Sequence, residues 1–392
     1  MWETEIKARL AAIKDKAALR SLQTTDGAAG NRVELGGKQL LNLASNNYLA
    51  LAGDKRLAAA QAAAAERYGA GAAASRLVTG NHPLYETAEK TLIKWKKCED
   101  ALIMGSGYTA NLGLLTALAG RHDVIFSDRL NHASIVDGII ASRAEHKRYR
   151  HLDTAHLEQQ LRRTPADKRK IIITDSLFSM DGDTARLTEL VELKKRYNAL
   201  LIVDEAHAAG VYGPAGRGLV YEYGLEDDVD IQMGTFSKAL GSAGAYITGK
   251  SWMIEYLLNT MRSLIYTTAL PPAVLAASIE AMQIAEAEPD RRSRLHENSA
   301  LFRKALETVG FHTYGSTTQI VPIRVGDNET ALAFSRALQD AGIAAVAIRP
   351  PTVPEQEARI RFAIHAGLEK DQLIWAADEI VRIGKRYLIH KG

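Results

Sequence analysis

The chain holds one cysteine in 392 residues, Cys98, so it cannot form an internal disulfide, and a reducing compartment is its expected setting. Long apolar runs are missing too. Nothing approaches the roughly 18 residues of a membrane-spanning helix, and the opening MWETEIKARLAAIKDK is too charged for the core of a secretion signal. Neither sign of charge dominates. The 49 Lys and Arg against 46 Asp and Glu leave +3, mixed along the chain, which gives no reason to expect a nucleic acid or membrane partner. Biased tracts and internal repeats are absent, and 46% hydrophobic with 24% charged residues is an ordinary globular mixture. These absences predict a soluble, folded, cytoplasmic protein.

The length allows two or three domains. Residues 2–22 carry apolar positions at helical spacing, and KQLLNLASNNYLAL reads as a strand followed by an asparagine-rich turn. From about residue 100, short β-rich runs alternate with helical ones. The strand candidates are ALIM (101–104), VIFS (124–127), KIIIT (170–174), ALLIVD (199–204), DIQMGT (230–235) and GAYITG (244–249). Between them TANLGLLTALA, HASIVDGIIASRA and RLTELVELKKRYN read as helices. This alternation predicts an α/β domain whose mainly parallel sheet is covered on both faces. EPDRRSRL reads as a hinge into a C-terminal domain with strands in QIVPIRV, IAAVAI and ARIRFAIH and a closing amphipathic helix. The expected division is an N-terminal helix and arm over 1–45, a large cofactor-binding α/β domain over 46–286 and a smaller α+β domain over 287–392.

Three motif readings compete. GAYITGKS (244–251) fits the phosphate-loop pattern G-x-x-x-x-G-K-[ST], and IVDEAH (202–207) looks like a helicase motif, which together suggest an NTPase. AYIT is itself strand-like, however, and the two motifs stand in reversed order. GSGYTA (105–110) fits a dinucleotide fingerprint, with Asp123 or Asp128 about twenty residues on. What that match supports is an anion seat at a helix N-terminus, or else a plain tight turn. The third reading uses these places together. Asp204 ends ALLIVD and His207 follows it; Lys238 lies past DIQMGT, Ser179 past KIIIT, and His132 past VIFSD. Ligands bind beyond the carboxyl ends of parallel strands. Taken singly, His132 could cap a helix, Asp204 could pair with an arginine and Ser179 could serve a turn. As a set they suit pyridoxal 5'-phosphate, which needs a lysine for its aldehyde, a carboxylate for its ring nitrogen and backbone donors for its phosphate.

GTFSKALGS (234–242), IVDEAHAAGVYGPAGRG, GSGYTANLG and DRLNHASIVDG resemble the α-oxoamine synthases, pyridoxal phosphate enzymes of the aspartate aminotransferase fold, from SNNYLAL at residue 45 to RIRFAIHAG at 367. The resemblance implies that Lys238 carries the cofactor as a Schiff base and that Asp204 pairs with the pyridine nitrogen. It further implies that His207 and Ser179 reach the phenolic oxygen, His132 stacks on the ring, Gly107 and Tyr108 present backbone, and Thr235 helps hold the phosphate. The family's active site lies at a homodimer interface, which would bring Thr267 or Thr268 to the partner's phosphate. Arg361 and Asn46 would hold the amino acid carboxylate, and Arg20 and Thr352 would lie near the acyl substrate. SLIYTTALPPA and IRPPTVPEQEARIRF look most like the family member that condenses L-alanine with pimeloyl-CoA, or with a pimeloyl carrier protein, in biotin biosynthesis. A glycine-using sibling is the alternative. A non-catalytic cofactor binder would need the lysine and the phosphate seat but not Arg361 or Asn46.

Overall fold

Ile171, Ile172 and Ile173 follow one another in the sequence and are all buried, as are Leu201, Ile202 and Val203, which requires a sheet with protein on both faces. In the computed structural model of the protein, which describes residues 1–27 and 30–388, these runs lie in a seven-stranded sheet. Ala28, Ala29 and residues 389–392, inside the expected arm and C-terminal domain, lie outside the described residues. The strands stand in the order Asp100–Met104, Ala245–Gly249, Ile231–Thr235, Ala199–Asp204, Lys170–Asp175, Val124–Asp128, Glu145–Tyr149. Ala245–Gly249 runs antiparallel to both neighbours, and the remaining paired neighbours are parallel. One face packs Leu102, Ile125, Ile173, Ile202, Met233 and Ile247 against Leu114, Leu115, Ile135, Ile139 and Leu257 from three helices.

All six strands expected from the sequence occur in this sheet. The seventh, Glu145–Tyr149, has the sequence EHKRY and escaped notice because it is an edge strand. Only Tyr149 is buried, so no apolar alternation marks it, and its lysine and arginine suit an unpaired edge.

The chain divides into two compact units, one of residues 49–179 and 184–292, the other of residues 1–48, 180–183 and 293–392. The first holds the seven-stranded sheet. In the second, Ile320–Gly326, Ala358–Ala363 and Val346–Ile348 form an antiparallel sheet, and Arg32–Leu35, Lys38–Asn42 and Ile343–Ala344 belong to another. IAAVAI, expected as one strand, is thus split between two sheets. EPDRRSRL, expected as a hinge, lies almost wholly in the 20-residue helix Pro289–Thr308, with proline at its first position where no backbone hydrogen bond is lost. The leading helix ends at Asp15 rather than near 22, and none of its residues is buried. Among the described residues no helix is long and apolar enough to cross a membrane.

Candidate active site

GTFSKALGS forms the end of one strand and the loop of a hairpin. Thr235 pairs with Ala245 across antiparallel strands, and residues 236–244 connect them. Phe236, Ala239 and Leu240 anchor the loop in the core, each at most 1% exposed, while Lys238 between them is half-buried. Two glycines are obligatory. A Cβ on Gly234 would lie 2.3 Å from the Tyr246 ring and hydroxyl, and one on Gly241, at φ +61°, would lie 2.3 Å from the backbone nitrogen of Ala52. Lys238 is therefore held on a stiff, deeply rooted loop. Its charge reaches both His132 and Asp175.

Asp204 is the last residue of its strand and is 3% exposed. Its Oδ1 accepts from Ala206 N at 2.8 Å and its Oδ2 from Asn111 Nδ2 at 2.8 Å. His207 follows in the same turn and is buried. On the adjacent parallel strand Asp175 stands opposite Asp204, and its Oδ2 accepts the backbone N–H of His132 at 2.8 Å. Burial first, then the charge of Asp204, raises the Asp175 carboxyl well above its ordinary value. His132 caps the helix Ala133–Ser142, as the simpler reading allowed, yet as a residue it remains exposed. The protein around the ring lowers its affinity for a proton.

The helix Gly107–Leu118 begins with a capping box in which Ser106 Oγ accepts from Thr109 N and Thr109 Oγ1 accepts from Ser106 N, both at 3.2 Å. Ala110 N donates to Ser106 O. The N–H groups of Gly107 and Tyr108 are left as the first-turn donors that the box does not use, which is the donor set an anion takes at a helix N-terminus. The Tyr108 hydroxyl donates to Asp137. Thr235 spends its hydroxyl hydrogen on Gly244 O at 2.8 Å and accepts from Ser237 N, so its first task is to shape the lysine loop. Ser237, exposed two residues on, is a hydroxyl of this loop that sequence reasoning missed. Ser179 is half-buried. Thr267 and Thr268 are exposed; Thr267 lies beside Gly105 of its own chain, and Thr268 bridges to Ser75.

In the other unit, Arg361 of the strand Ala358–Ala363 is buried, and its Nη2 donates to Asn46 Oδ1 at 3.0 Å and to the Tyr48 hydroxyl at 3.4 Å. Those two partners are neutral oxygens. Arg359, on the same strand, pairs instead with Asp181 and lies 3.9 Å over the Tyr314 ring. Arg20 donates to Pro350 O at 3.1 Å and so lies beside the loop carrying Thr352, itself exposed.

The two rival motifs fail on geometry. AYIT within GAYITGKS is strand, with all four residues buried, and cannot wrap a phosphate. Asp123 is held by Arg169 at 2.7 Å, Asp128 accepts from Leu130 N and Leu152 N, and the strand that follows Asp123 and ends at Asp128 is not a neighbour of Asp100–Met104, as a dinucleotide unit would need. The residues at the strand ends instead offer a lysine amine, a buried carboxylate, an accessible imidazole and an anion seat, the donor set that fits pyridoxal phosphate.

A model of the family "Aminotransferase class I and II" matches residues 38–380. A protein of Geobacillus kaustophilus (strain HTA426), provisionally named 8-amino-7-oxononanoate synthase, is 58% identical over 385 residues, covering 98% of each chain. One of Bacillus cereus with the same provisional name is 54% identical over 385 residues, again 98% of each. Among solved structures, a serine palmitoyltransferase from S. paucimobilis bound to a PLP–myriocin aldimine aligns with TM-score 0.93 and 29% identity over 98% of both chains. The 8-amino-7-oxononanoate synthase from Francisella tularensis aligns with TM-score 0.77 and 29% identity, over 88% of this chain and 98% of its own.

Proposed function

The chain belongs to the aminotransferase class I and II family, and from that membership and the site geometry we propose that it condenses L-alanine with a pimeloyl thioester. The products are 8-amino-7-oxononanoate, the released thiol carrier and carbon dioxide. It is a pyridoxal phosphate-dependent acyltransferase of biotin biosynthesis. The observation that carries the reading is Lys238 on its hairpin loop, with its charge felt at His132 and Asp175 beside the buried Asp204.

When bound, the cofactor supplies an electron sink for the carbanion at the amino acid Cα. Everything else falls to this chain. Lys238 would hold the cofactor through its aldehyde and, when free, would take the Cα proton. Asp204 would pair with the ring nitrogen, and its two hydrogen bonds from the protein fix the carboxylate for that task. His132 would lie against the ring face, His207 and Ser179 would serve the phenolic oxygen, and Gly107, Tyr108 and Thr235 would serve the phosphate. Arg361, steadied by Asn46, holds the substrate carboxylate, a positioning role in which small displacements are costly. Arg20 and Thr352 attend the acyl chain. The enzyme works in the cytoplasm as a homodimer, in which Thr267 or Thr268 completes the partner's phosphate seat. No nucleic acid or membrane takes part.

The test is product analysis by mass spectrometry, with L-alanine or glycine offered against pimeloyl-CoA. Formation of 8-amino-7-oxononanoate from alanine is expected. Turnover of glycine alone would move the protein to the sibling activity, and turnover of neither would overturn the reading.

A further inference from the structure

Two residues to which the quoted motifs assign no role join Asp204 to His132. Asn111, 1% exposed on the helix Gly107–Leu118, directs its amide nitrogen to Asp204 Oδ2 at 2.8 Å and to Ser134 Oγ at 3.0 Å. Ser134, fully buried, places Oγ 2.7 Å from His132 Nδ1, and its backbone N–H is also aimed at Nδ1, at 3.3 Å. The path is therefore Asp204, Asn111, Ser134, His132.

Donor accounting fixes its direction. Amide nitrogen carries only hydrogens to give, so both Asp204 Oδ2 and Ser134 Oγ accept from Asn111. The backbone N–H of Ser134 can only donate, so His132 Nδ1 accepts from it and carries no proton of its own, which leaves the serine hydroxyl as the donor of the 2.7 Å contact to the same nitrogen. Turning the amide over would set its oxygen 2.8 Å from the Asp204 carboxylate oxygen, a repulsive contact. The orientation is kept although Asn111 Oδ1 is buried without a hydrogen-bond partner.

We propose that Asn111 and Ser134 are positioning residues that hold His132 as the neutral tautomer, bare at Nδ1 and protonated at Nε2, while orienting the Asp204 carboxylate. The two groups assigned to the cofactor ring then carry a fixed charge pattern, an anion for the ring nitrogen and a neutral imidazole for the ring face. An imidazolium at that face would oppose the positive ring nitrogen that Asp204 sustains. Those consequences rest on the function proposed above, whereas the tautomer is a property of the protein alone. The charges acting on His132 are those of Asp204 and Asp137, which favour its protonation, and Lys238, which opposes it; burial opposes it more strongly. The carboxyl of Asp175 is spent on the His132 backbone N–H.

The experiment is long-range 1H–15N correlation spectroscopy on the full-length protein labelled at histidine, with His132→Gln to assign the signals. Wild type is expected to show a protonated Nε2 and a bare Nδ1 at neutral pH. Ser134→Ala is expected to raise the His132 titration midpoint and to admit the other tautomer, and Ser134→Thr, which keeps a hydroxyl, to restore the wild-type pattern. In the loaded enzyme Ser134→Ala should lower kcat about tenfold with amino acid KM held within about twofold. A protonated Nδ1 in wild type overturns the proposal, even if Ser134→Ala does not fold. So does an unchanged His132 titration in a folded Ser134→Ala protein. Both readouts are independent of which amino acid or thioester the enzyme uses.

Discussion

Asp175 and Asp204 stand directly opposite each other at the carboxyl ends of adjacent parallel strands, both nearly inaccessible to water. Two like charges so placed cannot both be carried without cost, and burial together with the charge of Asp204 raises the Asp175 carboxyl well above its ordinary value.

A pH-dependent stability follows from this pair. A carboxyl whose folded value is raised binds its proton more tightly in the native state, so its contribution is fully present below the unfolded value near 3.9 and is lost as pH rises toward the folded value. Asp175→Asn still offers an oxygen to His132 N–H and has no charge to bury. Its melting temperature relative to wild type should therefore climb as pH rises above about 4 in paired thermal melts. A difference that does not change with pH would show that the Asp175 carboxyl is not raised.

His365 works in the opposite sense. Its ring is 2% exposed, with Nε2 3.2 Å from Asn42 O, and burial lowers its proton affinity to about 4. The unfolded chain takes up the proton first, so stability is complete above about 6.5 and declines as pH falls toward 4, by roughly 3 kcal/mol at about 1.4 kcal/mol for each unit. His365→Gln should lose less stability than wild type over that interval in urea titrations. Equal losses would show that the ring is not the group responsible.

Arg361→Lys tests the carboxylate clamp. Lysine keeps the charge but not the planar fork that reaches Asn46 Oδ1 and the Tyr48 hydroxyl. Loss of charge-assisted hydrogen bonds of about 1.5–3 kcal/mol corresponds to a rise in alanine KM of about 10- to 150-fold, with smaller change in the thioester KM. An unaltered alanine KM would assign the carboxylate to another residue.

Lys238→Ala should abolish borohydride-resistant attachment of pyridoxal phosphate and reduce turnover by about three orders of magnitude or more. Intact-mass measurement after reduction checks the first and product assay the second. A cofactor still fixed to the variant protein would remove Lys238 from its role.

Gly241→Ala probes the loop rather than the chemistry. The added methyl meets the backbone of Leu51 and Ala52 at a positive φ, so stability should fall by about 1–3 kcal/mol and activity with it, as Lys238 three residues earlier is displaced. Wild-type melting and turnover would show that the loop has slack.

By itself the sequence determined the six apolar strands, the helices between them, the lysine loop and the strand-end placement of Asp204, because burial on two faces and the steric need for glycine leave local marks. It also placed the helix start at Gly107, since GSGYTA after an apolar strand is a local signal. The tertiary structure decided what no local pattern carries. Glu145–Tyr149 is a strand only because a sheet edge is there to receive it, and EPDRRSRL is helical because Leu295 and its successors find a core. Arg361 meets Asn46 across 315 positions of sequence, and Asn111 meets Asp204 across 93. Asparagine inside a helix and serine near a helix start have many uses, so the motifs that contain Asn111 and Ser134 do not by themselves tell what they bond. A hydrogen bond is a relation between two atoms brought to about 3 Å, and for residues far apart in the chain only the packed fold sets that distance.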